Sequence, residues 1–230
     1  GKYVARDIDK AIHYLSLAAS QNHPQAQNIL GLIYSDNKYV TRDINKSIHY
    51  YSLAANQNDP FAQNTLGKLY EDDKYVTRNI NKSIYYYSLA ARQNFFQAQF
   101  NLGRIYYEGK YVKRDIDKAI YYLSLAASQN HPQAQNILGH IYSDGKYVTR
   151  NNNKSIHYYS LAANQNLPQA QSNLGIIYYE GKYVTQDIDK AIYYFSLAAK
   201  QNDLQAQNNL GVIYYDDKYA VHDINKAIHY

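Results

Sequence analysis

The chain has 230 residues, with 24 Lys and Arg against 19 Asp and Glu for a formal net charge of +5, and it carries 29 Tyr but no Cys, Met or Trp. The lack of cysteine excludes disulfides, thiolate metal sites and thiol catalysis together, and it leaves the redox compartment undetermined. No apolar run approaches the roughly 18 residues of a membrane-spanning helix, and the opening GKYVARD lacks the apolar stretch of a secretory signal.

The first predicted element already contains the rule for the rest. Lys2-Tyr3-Val4 returns at Lys38, Lys74, Lys110, Lys146 and Lys182, and as Lys218-Tyr219-Ala220, every 36 residues and without insertion. A fixed period of about 20 to 50 residues marks a solenoid, in which each unit buries its apolar face against its neighbours. Asp7 then offers a side-chain acceptor to the free amides of a leading helix over 7–21. Its apolar residues Ile8, Ala11, Ile12, Leu15, Ala18 and Ala19 fall at helical spacing, and Tyr14 and Leu17 add a second apolar line. Asn22, a residue type that tolerates the left-handed conformation, is read as ending this helix, and Pro24 as starting the next at its first position.

That next helix, A, is predicted over about 24–36 and its partner, B, over about 43–57, with both recurring down the chain. Asn22 has counterparts at Asn58, Asn94, Asn130, Asn166 and Asn202, Pro24 at Pro60, Pro132 and Pro168, and Asp7 at Asp43, Asn79, Asp115, Asn151, Asp187 and Asp223. The end of helix A is marked by Asn37, Asp73, Gly109, Gly145, Gly181 and Asp217, all residue types able to take positive φ. Ala26, Leu30, Gly31, Ile33 and Tyr34 define its buried side. Glycine inside a helix costs about 1 kcal/mol against alanine, so the series Gly31, Gly67, Gly103, Gly139, Gly175 and Gly211 implies close approach of helix A to helix B, with Ala18 and its equivalents expected opposite. The repeats run 24–59, 60–95, 96–131, 132–167, 168–203 and a truncated 204–230, read as one continuous array of residues 1–230. The start without Met and the stop in mid-repeat point to a piece of a longer array. The unfinished helix at 223–230 is expected to leave Ile228 and Tyr230 partly exposed and to favour end-to-end self-association.

Leu30-Gly31, then Tyr34, with Ala or Ser at the position of Ala11 and Ala at that of Ala18, resembles the tetratricopeptide repeat. The two residues beyond the usual 34 and the string V-x-x-D-x-x-K-[AS]-x-x-Y-x-x-x-A-A are still more similar to its relative, the Sel-one-like repeat, with Asn22 and its equivalents where that family usually has Gly. The resemblance covers the whole chain. It implies an all-α, right-handed α-solenoid of antiparallel helix pairs whose A helices line a concave groove, and a non-catalytic protein-protein interaction scaffold or adaptor, with no cofactor.

Function is expected where repeats differ. On helix A the varying positions form a stripe opposite the buried one. They bring Lys68, Arg104 and His140 into successive repeats, with Asn64, Asn136, Phe61, Phe100 and Tyr107 around them. Cations, amides and rings suit an extended peptide carrying a carboxylate, because Lys and Arg pair with it while Asn bonds backbone. Reversing charge at Lys68 and Arg104 is accordingly expected to weaken partner binding with little change in melting temperature. Drift on an exposed face is the competing reading, and the close copying between residues 1–36 and 109–144 favours it: they differ only at Ala5/Lys113, His13/Tyr121 and Leu32/His140.

The remaining chemistry is repeat furniture. Lys2 and Lys10 head two regular lysine rows interleaved with acids, which reads as a solvated surface. Tyr85-Tyr86-Tyr87 and Tyr121-Tyr122 are expected to place their first ring at the rim and to pack the others. Single-stranded RNA stacking on such rings is the alternative function. The eight histidines make no HxxxH or HExxH pair and are expected to face solvent. No paired-carboxylate signature, unique serine or phosphate loop is present, so an enzyme is not expected.

Overall fold

A computed structural model describes residues 7–182 and 184–215. Among these there are twelve α-helices and no strand. The chain divides into two compact units, residues 1–115 and 116–230. Unit 1 holds α1 (Ile8–Ser20), α2 (Pro24–Ser35), α3 (Ile44–Asn56), α4 (Pro60–Glu71), α5 (Ile80–Arg92) and α6 (Phe96–Glu108). Unit 2 holds α7 (Ile116–Ser128), α8 (Pro132–Asp144), α9 (Asn152–Asn164), α10 (Pro168–Glu180), α11 (Ile188–Ala199) and α12 (Leu204–Tyr215). Within each unit every helix packs against the next in sequence. Even-numbered helices are the A helices and odd-numbered ones the B helices, and the bounds of α2 and α3 match the expected spans to within a residue. Residues 223–230, with Ile228 and Tyr230, lie outside the described residues.

Helix ends follow the local chemistry. Asp7, Asp43, Asn79, Asn151 and Asp187 cap B helices by accepting from the backbone amide three residues on. Each of the six asparagines from Asn22 to Asn202 sits at φ of 59–63°. There the amide of Asn22 donates to Ala19 O (3.0 Å) and that of His23 to Ala18 O (3.2 Å). This is the bond pair of a Schellman turn, and it folds helix B directly back into helix A.

The A-helix ends correct one expectation. Gly109, Gly145 and Gly181 take positive φ, but Asn37 and Asp73 do not. Their helices α2 and α4 stop one residue earlier, at Asp36 and Asp72 in extended conformation. Asn37 and Asp73 instead accept from the amides of Arg42 and Arg78 through their side chains, at 3.2 and 3.1 Å. A short polar side chain thus organises the loop by accepting a hydrogen bond where glycine does so by backbone freedom. The arginine at that place also caps helix A: Arg42 Nε donates to Ser35 O (2.8 Å) and Arg78 Nε to Glu71 O (2.9 Å). Arg114 and Arg150 do the same at Tyr107 O and Ser143 O, so these arginines are committed to helix C-termini, where cations are favoured.

The helical glycines correct a second. At Gly31, Gly67, Gly139 and Gly175 what lies opposite is a ring from the following B helix, not an equivalent of Ala18. A Cβ on Gly67 would stand 2.6 Å from Tyr87 Cδ1, on Gly139 2.7 Å from Tyr159 Cδ1, and on Gly175 2.6 Å from Phe195 Cδ1. Glycine makes the shelf on which the aromatic side chain lies flat. Beside it runs an element absent from the sequence reading. Gln63, fully buried, donates from Nε2 to Ala55 O (3.2 Å) within its own helix pair and accepts from Gln93 Nε2 (2.8 Å) in the next. Gln27 with Gln57, Gln135 with Gln165 and Gln171 with Gln201 repeat the arrangement.

Candidate functional site

Unit 1 has an open cleft of about 540 Å³ between α4 and α6, and four of the predicted residues, Asn64, Lys68, Phe100 and Arg104, line it. Phe61 and Tyr107 are not part of its wall. Phe61 is exposed on α4 with its ring 6.5 Å from that of Tyr51. His140 and Asn136 belong to α8 of unit 2 and are described there.

The cleft is less basic than its cations imply. Arg104 is held by Glu71 of α4 and by Glu108 one turn along its own helix, the latter at 3.2 Å. Burial works against the charge of Arg104, yet the hydrogen bond it donates to Glu71 and the fields of both carboxylates hold its pKa above the ordinary value. Glu71 also accepts from Tyr87 Oη at 3.0 Å, and burial together with that carboxylate raises the Tyr87 pKa. Arg78 is taken up by Glu71 O and Asp73 and lies 4.5 Å over the Tyr111 ring, while Lys110 Nζ lies 5.0 Å over the same ring. Lys68 is exposed and has no ion-pair partner among the described residues. Asn64 accepts from Asn101 Nδ2 at 3.2 Å, which aligns two amides across the cleft.

This alters what charge reversal at Arg104 means. Glutamate there would face Glu71 and Glu108 at close range and break a partly buried network, so the expectation of an unchanged melting temperature does not hold for that position. The i,i+4 pair Arg104–Glu108 was legible as helix spacing. The Glu71–Arg104 pair, 33 residues apart, was not.

Unit 2 has a smaller cavity of about 230 Å³ at the repeat-equivalent place among α8, α9 and α10, with His140 on its wall. Here Ser143 stands for Glu71, Ile176 for Arg104 and Tyr159 for Tyr87. The Glu71–Arg104 pair has no counterpart there, while Glu180 and Lys182, the equivalents of Glu108 and Lys110, stay on the wall. Asn136 accepts from Asn173 Nδ2 at 3.2 Å, repeating the amide pair of unit 1.

The other side chains singled out by sequence have structural places. Tyr50 stacks on Tyr34 at 5.8 Å and 5°, and Tyr86 on Tyr70 at 5.9 Å and 5°. Lys46 and Lys82 sit over the A-helix rings Tyr34 and Tyr70 at 5.0 Å. Tyr85, Tyr121 and Tyr193 are exposed, as the rim reading expects. His23 and His131 are not simply solvent-facing. Each accepts from the amide three residues on, at 3.3 Å, and caps its A helix. None of the described helices is long and apolar enough to cross a membrane.

The Sel1 repeat pattern matches residues 1–23, 24–59, 60–95, 96–131, 132–167, 168–203 and 204–230. The chain belongs to the Sel1 repeat family. Among solved structures it is similar to a protective antigen of uropathogenic Escherichia coli that displays this fold, with a TM-score of 0.92 and 32% identity over 100% of this chain and 49% of that one. It thus spans about half the length of that relative. A Sel1 repeat protein from Oxalobacter formigenes follows at 0.81 and 30% identity, covering 96% of this chain and 91% of that one. An immunity protein from Pseudomonas aeruginosa, at 0.51 and 21% identity over 89% and 77%, shares the fold. No match is found among curated proteins. Sel1 repeat proteins generally act as non-catalytic protein-interaction scaffolds.

Proposed function

We propose that this Sel1 repeat chain is a scaffold that holds a segment of a partner protein along its A helices. The observation that carries the reading is the unbroken run of Sel1 repeats from one end of the chain to the other. In unit 1 the partner segment lies in the α4–α6 cleft. Lys68, which has no ion-pair partner among the described residues, takes a carboxylate of the partner, the Asn64–Asn101 amides bond its backbone, and Phe100, with Phe61 and Tyr107 outside the wall, supplies apolar area. Arg104 acts through the Glu71–Glu108 network, which keeps the wall rigid, so the receptor loses little freedom on binding. His140 and Asn136 are the contacts offered by unit 2.

The test is affinity capture with mass spectrometry, comparing the native chain with Lys68→Glu. A captured protein bound at least about tenfold more weakly by Lys68→Glu, with circular dichroism and melting unchanged, supports the cleft, since one charge-assisted hydrogen bond contributes about 1.5–3 kcal/mol. Unaltered capture removes the cleft from the reading.

A further inference from the structure

One residue on the wall of the unit 2 cavity departs from its counterparts in the other repeats. The first residue of a B helix is Ile in α1, α3, α5, α7 and α11, but α9 begins with Asn152. In α11 that isoleucine, Ile188, packs against the core cluster of Phe195 and Leu210. Asn152 puts a shorter amide in the same place, and it lines the approximately 230 Å³ cavity. Ile156, Tyr159, Ile176 and Ile177 form the apolar part of the wall. Its polar part includes Ser155, which is 1% exposed and whose hydroxyl has no hydrogen-bond partner. Ser83, the equivalent in α5, also lacks a partner, but its helix begins with Ile80 and it is not part of the wall of the unit 1 cleft.

We infer that this cavity is a binding pocket for a phenol group, the side chain of a tyrosine on the partner. A purely aliphatic guest would leave the buried Ser155 hydroxyl unpaired, and a charged guest would meet a like charge on the wall, Glu180 or Lys182, beside three isoleucines. A ring with one hydroxyl at its tip meets both halves of the wall. A position that trades a half-buried isoleucine for an amide lowers local packing, which is the pattern of a site kept for binding rather than for stability. The inference rests on the scaffold reading only for the source of the phenol.

The experiment is an NMR titration of the full chain, labelled at isoleucine methyls, with p-cresol, toluene and N-acetyltyrosinamide. Saturable shifts at Ile156, Ile176 and Ile177 are expected with p-cresol, at an affinity at least fivefold above that of toluene. N-acetyltyrosinamide is expected to bind at least as tightly as p-cresol. Asn152→Ile restores the residue of the other repeats, so it folds, and it is expected to weaken p-cresol at least tenfold. Ser155→Ala is expected to bring p-cresol and toluene to equal affinity. Absence of saturable shifts, shifts that survive Asn152→Ile, or equal binding of toluene to the native chain overturns the pocket, and p-cresol binding without N-acetyltyrosinamide overturns the tyrosine source. Lys68→Glu is expected to leave p-cresol binding unchanged, so failure of the unit 1 cleft and failure of this pocket give different results.

Discussion

Gly67→Ala tests the packing rule on which every repeat depends. Alanine is the better helix former by about 1 kcal/mol, so on an open helix face the substitution would stabilise. Here the new Cβ would sit 2.6 Å from Tyr87 Cδ1 and 2.9 Å from Cγ, against an optimum of about 3.5–4.0 Å between carbons. The clash is with the near side of the ring, so rotation of a flexible tip does not relieve it. Tyr87 is 1% exposed and is tied at its hydroxyl to Glu71 at 3.0 Å, so a shift of about 1 Å breaks that bond as well. Overpacking costs about 1–3 kcal/mol and loss of a hydrogen bond to a charged group about 1.5–3 kcal/mol. Set against the helix gain, a net loss of about 1.5–5 kcal/mol is expected, seen as a fall in melting temperature of roughly 3–20 °C for a chain of this size. Differential scanning calorimetry and urea unfolding measure it. Tyr87→Leu, which installs the residue found at Leu15 and Leu123, should restore most of the loss in the double mutant. A melting temperature raised by Gly67→Ala would falsify the account of the helical glycines.

Two further outcomes follow from buried polar groups. Gln63→Leu removes the side chain that joins Ala55 O to Gln93 and leaves both without that partner, so unfolding free energy should fall by about 1–3 kcal/mol, with exchange of the α4–α5 amides accelerated in hydrogen exchange; unchanged exchange there would show that the glutamine link carries no stability. His131 caps α8 through a neutral ring nitrogen, and burial lowers its pKa below the ordinary 6.5. The unfolded chain therefore takes up the proton first as pH falls, and the stability present above about pH 6.5 is lost as pH drops toward the lower folded value, by about 0.5–1 kcal/mol, a typical cap contribution. His131→Asn keeps an acceptor that does not titrate. The difference between the two proteins' pH–stability curves should open on the acid side, and parallel curves would refute the cap.

Much of the fold was legible because the information is local and repeated. Proline at the first helical position, aspartate or asparagine as N-cap and asparagine in the left-handed turn are decided by chemistry within a few residues, and they placed the helix ends before any coordinates. The stop of helix A was misjudged at Asn37 and Asp73 because two local solutions, positive φ and a side-chain acceptor, are open to the same residue types. Glycine was correctly read as a sign of close approach, but its partner lies 20 residues away on another helix, and helical periodicity says nothing about which side chain arrives there.

For the candidate site the division is sharper. The helical class, the side-chain N-caps of the B helices and the stripe on which repeats diverge were legible because they follow from spacing along one chain. It took the packing of helices to show that Glu71 reaches Arg104 from the preceding repeat, that Lys68 has no ion-pair partner among the described residues, and that Asn152 lines a cavity where Arg104's equivalent is Ile176. The physical reason is that charge pairing and void volume depend on distances between helices, and residues far apart in sequence set those distances.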